Sequence, residues 1–427
     1  MTAGPHPYDV EAIRARFPSL ARTQDGRPVV FADAPAGTQV PEAVIEAVAG
    51  YYRERNANTH GAFATSVETD GTIAAARAAG AALLGCDPGE IVFGANSTTL
   101  SFALSRSLAR VLEPGDEVVL TVLDHDANVA PWLAIAAERG ARVRWVDLRD
   151  EDGTLDLATL DAALGPRTRI VAFTLASNAI GTVTPAAEIA RRAREAGAIA
   201  IGDAVHAAPH RPLDVRAMGV DVLFTSPYKF YGPHLGMMFG RRDLLEAWPA
   251  YKVRPQEDRA PERWETGTLP HELLAGVAAA VDHLAWVGHA FGGAAPGTDL
   301  RAAVAAGMGA VAAHEAGLSR RFLEGLPGLG RAVRLWGIGD PARVGERTPT
   351  FAVRVGDAHP RATAEALAAR GVFVWDGDYY AVAAMERLGL RETGGAVRIG
   401  FCHYSTEAEV DRVLADLGGL ADLADLD

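Results

Sequence analysis

Short apolar runs alternate with helix-patterned segments from Ile91 to Thr225, and few folds are compatible with this alternation. Continuous apolar runs separated by helices are typical of parallel strands that are buried on both faces of a sheet. The predicted strands are 91–93, 117–122, 142–147, 169–174, 198–201 and 220–225, and the predicted helices are 98–112, 131–139, 157–164 and 185–196. The sequence therefore predicts an α/β fold with a mostly parallel sheet, in which ligands bind at the carboxyl ends of the strands.

A second, smaller α+β domain is predicted toward the C-terminus. The Gly-rich stretch Gly288 to Gly297 precedes a long helical pattern at 300–326 and suggests a domain boundary. Beyond it, strands are predicted at 351–354, 372–375 and 396–399, and helices at 360–370 and 406–417. We therefore expect a large domain at 29–287 and a small domain at 288–427. The segment 1–28, with a helix at 8–17, is expected to pack near the small domain.

Charge and cysteine content exclude several classes of function. The net charge of −13, from 41 basic and 54 acidic residues, argues against a nucleic-acid partner, which requires clustered Lys and Arg. The two cysteines, Cys86 and Cys402, form no C-x-x-C pair, so we predict neither a disulfide framework nor a metal site. The same low cysteine content predicts a cytoplasmic location. No uninterrupted apolar run reaches the ~20 residues of a membrane span.

Lys229 and Asp203 are the strongest candidates for chemistry. The chain has two lysines, Lys229 and Lys252, and Lys229 follows an apolar strand in a loop that contains Ser and Gly. Burial there would lower the pKa of the amine and suit it to Schiff-base formation. Asp203 ends the preceding strand, where its carboxylate needs a cation such as a pyridinium nitrogen. Together they predict a pyridoxal phosphate site, whereas each alone could be a solvated lysine or a helix cap.

Two further segments could complete such a site. Ser97 and Thr98 lie between a predicted strand and a predicted helix, where hydroxyl and backbone N–H groups can bind a phosphate. Ser and Thr are also common helix caps, so this signal alone is weak. His125 follows another strand and could stack on a planar ring, although a single histidine is more often structural.

The same residues belong to an ordered series of short motifs that extends from about Phe17 to Val413. The series comprises Asp33-Ala-Pro-Ala-Gly37, Asn58-Thr-His60, Ser97-Thr98-Thr99, Asp124-His125-Asp126-Ala127-Asn128, Ser177-Asn178, Asp203 with His206, Ser226-x-x-Lys229 and Glu265-Thr-Gly-Thr268. This order resembles that of the class V aminotransferases, and the nearest relatives look like cysteine desulfurases and selenocysteine lyases. The resemblance implies fold-type I and pyridoxal 5'-phosphate as cofactor.

The resemblance also implies a role for each matching residue. Lys229 would form the Schiff base, Asp203 would pair with the pyridine nitrogen, and His125 would stack on the ring. The other cofactor contacts implied are Ser97, Thr98, Asn178, His206, Ser226, Tyr228 and Thr268. Tyr228 stands where many relatives carry a histidine, and Thr268 matches a residue that reaches the neighbouring subunit's phosphate, which implies a homodimer with shared sites. The substrate contacts implied are Arg398 for the α-carboxylate, Asn178, His60 and Tyr380.

One departure from the family pattern bears on the reaction. Desulfurases carry a nucleophilic cysteine on a loop of the small domain, and Tyr380 falls at about that position here. Neither Cys86 nor Cys402 easily replaces it. We therefore expect β-elimination of a cysteine-derived amino acid without an enzyme persulfide. The alternatives are an aminotransferase, an epimerase, or a catalytically silent cofactor-binding or sulfur-transfer scaffold, which would need neither Lys229 nor Asp203.

Overall fold

The computed structural model describes residues 7–424, with the side chains of 423 and 424 excepted. Its main sheet has seven strands, in the spatial order Ile91–Gly94, Gly236–Gly240, Val222–Thr225, Ile199–Asp203, Thr168–Thr174, Glu117–Thr121 and Arg142–Val146. Gly236–Gly240 runs antiparallel to both of its neighbours, and the other adjacent pairs are parallel. The predicted α/β fold with a mostly parallel sheet is thus confirmed, whereas the Gly- and Met-rich antiparallel strand was missed.

Helices cover both faces of this sheet, which is why its strands are apolar on both sides. The helices of the first 300 residues are Val10–Arg14, Glu42–Glu54, Ala64–Leu84, Ser97–Leu108, Ala130–Arg139, Leu157–Ala163, Ala186–Glu195, Val215–Met218, Arg242–Ala247 and His271–Ala290. The predicted helix at 8–17 is shorter in the structure. It begins after Asp9, whose side chain accepts a hydrogen bond from the Ala12 N–H and caps the helix.

A four-stranded antiparallel sheet forms the C-terminal part, in the order Val333–Trp336, Thr350–Val355, Ala396–Gly400 and Trp375–Gly377. Its helices are Leu300–Gly325, Pro360–Ala369, Val382–Arg387 and Glu407–Ala424. The single strand predicted at 372–375 is wrong. Val372–Phe373 pairs instead with Val30–Phe31, and Trp375 begins a separate strand. A small hairpin pairs Thr23–Gln24 with Arg27–Pro28.

The predicted division at residue 288 stays a prediction, but Gly288 itself does not break a helix. The helix His271–Ala290 continues through it and packs closely on the helix Leu300–Gly325. A Cβ on Gly288 would lie 1.9 Å from the Ala303 carbonyl oxygen, and one on Gly307 would lie 2.1 Å from that of Leu284. These glycines therefore permit close helix packing. The helix His271–Ala290 is the one described helix long and apolar enough to cross a membrane, and just over half of it is buried, as in a core helix.

The N-terminal segment contacts the C-terminal part of the chain. The Tyr8 hydroxyl donates to the His403 carbonyl at 2.9 Å, and Arg14 donates to the Tyr404 carbonyl at 2.8 Å. Phe17 is buried beside Tyr404 and also contacts Tyr231 of the large domain. The segment predicted at 1–28 therefore touches both parts, and its residues 1–6 lie outside the described residues.

Candidate active site

A cavity of about 520 Å³ opens at the carboxyl ends of the parallel strands, beside the C-terminal sheet. Most of the residues predicted from the sequence meet there, because parallel strands end at the same edge of a sheet. The predicted residues that line it are Ser97, Thr98, His125, Asn178, Asp203, His206, Ser226, Tyr228, Lys229, Tyr380 and Arg398. The volume falls in the usual range for a small-molecule site.

Lys229 is buried at the inner end of this cavity. It lies in the loop after the strand Val222–Thr225, and its Nζ donates a hydrogen bond to the Pro35 carbonyl oxygen. Burial, and secondarily the positive charge of Arg398, lower the pKa of the Lys229 amine to about 7. A large share of the amine is therefore neutral near neutral pH, which is the form that can act as a nucleophile or base.

Asp203 ends the strand Ile199–Asp203, and its side chain is buried. One carboxylate oxygen accepts a hydrogen bond from the Val205 N–H at 2.8 Å. Burial raises the pKa of Asp203 to about 6, against the opposing effects of that hydrogen bond and of Lys229. A carboxyl group held this way can share a proton with a ring nitrogen placed against it.

The loop between the strand Ile91–Gly94 and the helix Ser97–Leu108 lines one wall of the cavity. Asn96 caps the helix by accepting from the Thr99 N–H at 2.8 Å, and the helix begins at the cavity wall. The Ser97 hydroxyl contacts the Thr225 carbonyl at 2.8 Å and the Ser226 hydroxyl. Ser97, Thr98 and Ser226 thus line the cavity at the positive end of this helix, an arrangement that suits an anion.

His125 lies on another wall and is held as a neutral ring. Burial, and then the charges of Lys229 and Arg398, lower the pKa of His125 to about 4. Its Nδ1 accepts from the Ala127 N–H at 3.0 Å. Asp124, buried beside it, accepts from the Thr121 hydroxyl and from Asn128 Nδ2, which fixes the loop. Asp124 belongs to one of the motifs in the sequence, but its position there predicts no role for it.

Arg398 and Asn178 join the two sheets at the cavity. Arg398 Nη1 donates to the Asn178 carbonyl at 2.9 Å, and the guanidinium lies 4.4 Å from the centroid of the Tyr379 ring. Asn178 Nδ2 donates to the Tyr379 carbonyl at 2.9 Å. Burial lowers the pKa of Arg398 to about 10, so the group remains cationic at neutral pH and can bind a carboxylate.

His206 lines the cavity, but its hydrogen bonds could not be predicted. Its Nε2 lies 3.1 Å from the Thr348 hydroxyl and 3.0 Å from that of Thr350. Both threonines come from the C-terminal part and carry no motif signal. Burial, reinforced by His210, lowers the pKa of His206 well below its usual value, so the ring is neutral.

Two predicted residues are not brought to the cavity by this chain. Thr268 and His60 are exposed, and His60 lies beside Asp70, with its Nδ1 3.4 Å from a carboxylate oxygen. Neither cysteine lines the cavity. Burial raises the pKa of Cys86 to about 12 and that of Cys402 well above its usual value, so both thiols are held protonated. Among residues 7–424, no group of three or more His, Cys, Asp or Glu side chains could hold a metal ion.

The cavity wall carries buried polar atoms that fit a bound cofactor. Among the described residues, no partner exists for Asn178 Oδ1, His206 Nδ1, Arg398 Nε and Ser101 Oγ. Native proteins rarely leave such atoms unpaired without a ligand or water. Hydroxyls at a helix N-terminus, a buried carboxyl and a buried amine of lowered pKa are together the groups that would hold the phosphate, the ring nitrogen and the aldehyde carbon of pyridoxal phosphate.

Comparison with known proteins assigns the family. The model of the class V aminotransferases matches residues 30–413. The chain belongs to the class V aminotransferase family. It is 33% identical to a probable cysteine desulfurase of Streptomyces coelicolor, over 98% of both chains. It is 30% identical to a cysteine desulfurase of Pectobacterium atrosepticum, over 96% of this chain and 97% of the other.

Solved structures of this family agree with the fold. The apo cysteine desulfurase of Thermococcus onnurineus superimposes with a TM-score of 0.84 at 25% identity, over the full length of both chains. An S-sulfonic acid form of an Escherichia coli cysteine desulfurase gives 0.80 at 25% identity, over 98% of this chain and all of the other. The protein is therefore a pyridoxal 5'-phosphate enzyme of fold-type I in the class V aminotransferase family. The individual residue roles stay predictions.

Proposed function

We propose that this member of the class V aminotransferase family is a C–S lyase. It would cleave a cysteine-derived amino acid by β-elimination without forming a persulfide on the enzyme. The observation that carries the proposal is the loop 375–380, which presents the Tyr380 phenol at the cavity, while both thiols lie elsewhere. Relatives named cysteine desulfurases support a cysteine-derived substrate. A phenol is a usable proton donor and a poor sulfur acceptor.

The side chains divide the work between binding and proton transfer. Ser97, Thr98 and Ser226 would hold the phosphate of the cofactor, which when bound supplies an electron sink for the substrate's α-carbon. Arg398 binds the substrate carboxylate, and the neutral Lys229 amine removes the α-proton. Asp203 keeps a proton at the ring nitrogen, and Tyr380 gives a proton to the departing sulfur.

The reaction class is tested by its products. With a cysteine thioether as substrate, β-elimination releases pyruvate, ammonia and a thiol in equal amounts. A transaminase would instead form a keto acid without free ammonia, and an epimerase would form the D-amino acid. Pyruvate and ammonia in a ratio of one are expected, and either of the other product sets would replace the proposal.

Removing both cysteines should leave the chemical step intact. In Cys86→Ser/Cys402→Ser, single-turnover rates should stay within about threefold of the parent, because no thiolate takes part. Stability is expected to fall, since Cys402 is fully buried, so rates are measured well below the unfolding temperature. Tyr380→Phe is the matched variant and should slow thiol release by about 10²-fold. A persulfide trapped on Cys402 during turnover would contradict the proposal.

Replacing Asp203 with alanine should reduce turnover far more than cofactor affinity. The ring nitrogen then loses the carboxyl that keeps it protonated, and kcat should fall by about 10³-fold or more. Cofactor content, measured by absorbance after gel filtration, should change less than about tenfold. Asp221→Ala alters another buried strand-adjacent carboxylate outside the cavity, and provides the control for stability effects. Near-normal turnover in Asp203→Ala would show that Asp203 only accepts the hydrogen bond of the Val205 N–H and takes no part in the reaction.

The proposed assembly is a cytoplasmic homodimer. The exposure of Thr268 on this chain is compatible with a contact to the cofactor phosphate of a second subunit. Light scattering should give twice the mass of 44.9 kDa. Thr268→Ala should weaken cofactor binding without changing that mass. A monomer with full activity would contradict the shared site.

A further inference from the structure

We propose that Trp375 and Tyr380 form a binding surface for the group attached to the substrate sulfur, and that the enzyme prefers cysteine thioethers with an aromatic or bulky apolar substituent. This inference rests on the proposed C–S lyase function and names its substrate class. Together these two side chains form the aromatic mouth of the cavity.

Exposure distinguishes the two ends of the cavity. Lys229 and Asp203 are 9% and 6% exposed, whereas Trp375 and Tyr380 are 51% and 71% exposed, although all four line the same cavity. The amine of Lys229 and the carboxyl of Asp203 therefore lie at the buried end, and the aromatic rings are at the entrance. Large exposed aromatic surface in a cavity wall is characteristic of ligand contact.

Sheet pairing places Trp375 next to the carboxylate-binding residue. Trp375 lies directly opposite Arg398 in the antiparallel pair of strands Trp375–Gly377 and Ala396–Gly400. Opposite residues project from the same face of a sheet, with their Cβ atoms about 5 Å apart. A substrate whose carboxylate binds Arg398 therefore has the Trp375 ring beside it.

Tyr380 is held in place at a conformational cost. Tyr379 and Tyr380 both have φ of 56°, in the left-handed region that bulky residues avoid. The carbonyl of Tyr379 accepts from Asn178 Nδ2, and that of Tyr380 accepts from the Asp126 N–H at 2.7 Å. Such strain persists where surrounding contacts enforce it, commonly at ligand sites. The loop thereby holds the Tyr380 ring over His125, with ring centroids 5.6 Å apart.

The exposed ring surface of Trp375 and Tyr380 indicates the size of substrate that the cavity favours. Free cysteine ends at the sulfur that Tyr380 is proposed to protonate, so it carries no further group that could cover the faces of the Trp375 and Tyr380 rings. A benzyl or similar thioether substituent extends toward the entrance and removes apolar ring surface from water, which favours binding in proportion to the area covered. A cavity of about 520 Å³ has room for such a ligand together with a cofactor.

A substrate series tests this preference in the holoenzyme. We expect kcat/KM for S-benzyl-L-cysteine to exceed that for S-methyl-L-cysteine and L-cysteine by about tenfold or more. Trp375→Ala should reduce the benzyl-to-methyl ratio to about one. Trp145→Ala is the matched control, because Trp145 is also exposed but lies on the edge strand Arg142–Val146 outside the cavity, and it should keep the parent ratio.

A binding measurement separates this inference from the reaction itself. Lys229→Ala loaded with cofactor should bind the same ligands without turnover, and calorimetric Kd values should show the same tenfold preference, which Trp375→Ala should abolish. If all substrates yield pyruvate with equal kcat/KM, the inference is overturned and the C–S lyase function stands. If none yields pyruvate, that function fails, and the ratio of Kd values alone decides on the aromatic mouth.

Discussion

Lys229→Ala should lose turnover by about 10³-fold or more, and borohydride should no longer fix the cofactor to the protein. The expectation follows from a buried amine whose pKa is lowered to about 7, at the end of a cavity whose other groups fit pyridoxal phosphate. Lys229 would contribute to the rate in two ways, by its covalent link to the cofactor and by moving the proton. Proton transfer alone accelerates a reaction by about 10²–10⁴-fold.

The second lysine provides the control for this experiment. Lys252 lies outside the cavity, where its Nζ donates to the Gln256 carbonyl at 2.8 Å and pairs with Asp258 at 3.0 Å. Lys252→Ala should keep full turnover and normal labelling. In the parent protein, peptide mapping after borohydride should find the cofactor on Lys229. Label on Lys252, or none in a folded sample, would reject the assignment.

Glu265→Leu should destabilise the fold by about 3–5 kcal/mol, because the buried Arg77 guanidinium loses the carboxylate that accepts two of its hydrogen bonds and keeps only the more distant, partly exposed Glu262. Arg77 donates to both carboxylate oxygens of Glu265, at 2.9 and 2.7 Å, and the Phe93 N–H donates to the same carboxylate. Burial raises the pKa of Glu265 in spite of these bonds. The pair is therefore costly to break rather than a large net source of stability.

A double variant distinguishes these two effects. Arg77→Met/Glu265→Leu removes both charges, so most of the lost stability should return in urea unfolding and calorimetry. Glu262→Gln is a milder control, because its carboxylate lies 3.8 Å from Arg77 and is one-third exposed, and it should change stability by less than about 1 kcal/mol. If the double variant is as unstable as Glu265→Leu, the neutral contacts and not the charge pair hold this loop.

The main sheet and the first candidates for the site, Lys229 and Asp203, could be predicted from local pattern, because apolar runs mark the parallel strands and ligands bind at their carboxyl ends. Asn178 and Arg398 also line the cavity, but they were implied only by the resemblance to a known family. The antiparallel strand Gly236–Gly240 gave no such pattern, because two glycines flank only three apolar residues. Gly236 allows this strand to approach the Asn96 backbone closely, since a Cβ on Gly236 would lie 2.3 Å from it.

Contacts between distant segments could not be inferred from spacing. The threonines at His206 come from the C-terminal part of the chain, and the two left-handed tyrosines are held by groups from the main sheet. The Gly-rich stretch Gly288 to Gly297 predicts a domain boundary because glycine commonly interrupts helices, whereas Gly288 lies within a helix and permits a second helix to approach. His60 and Thr268 are exposed on this chain, and the roles predicted for them stay predictions.

Three hydrogen bonds that join the C-terminal sheet to the main sheet have a consequence for timing. They are Asn178 Nδ2 to the Tyr379 carbonyl, the Asp126 N–H to the Tyr380 carbonyl, and Arg398 Nη1 to the Asn178 carbonyl. A displacement of the C-terminal sheet away from the main sheet would break all three. Opening of the cavity and release of a carboxylate from Arg398 would then occur together, because the same guanidinium makes one of the three bonds.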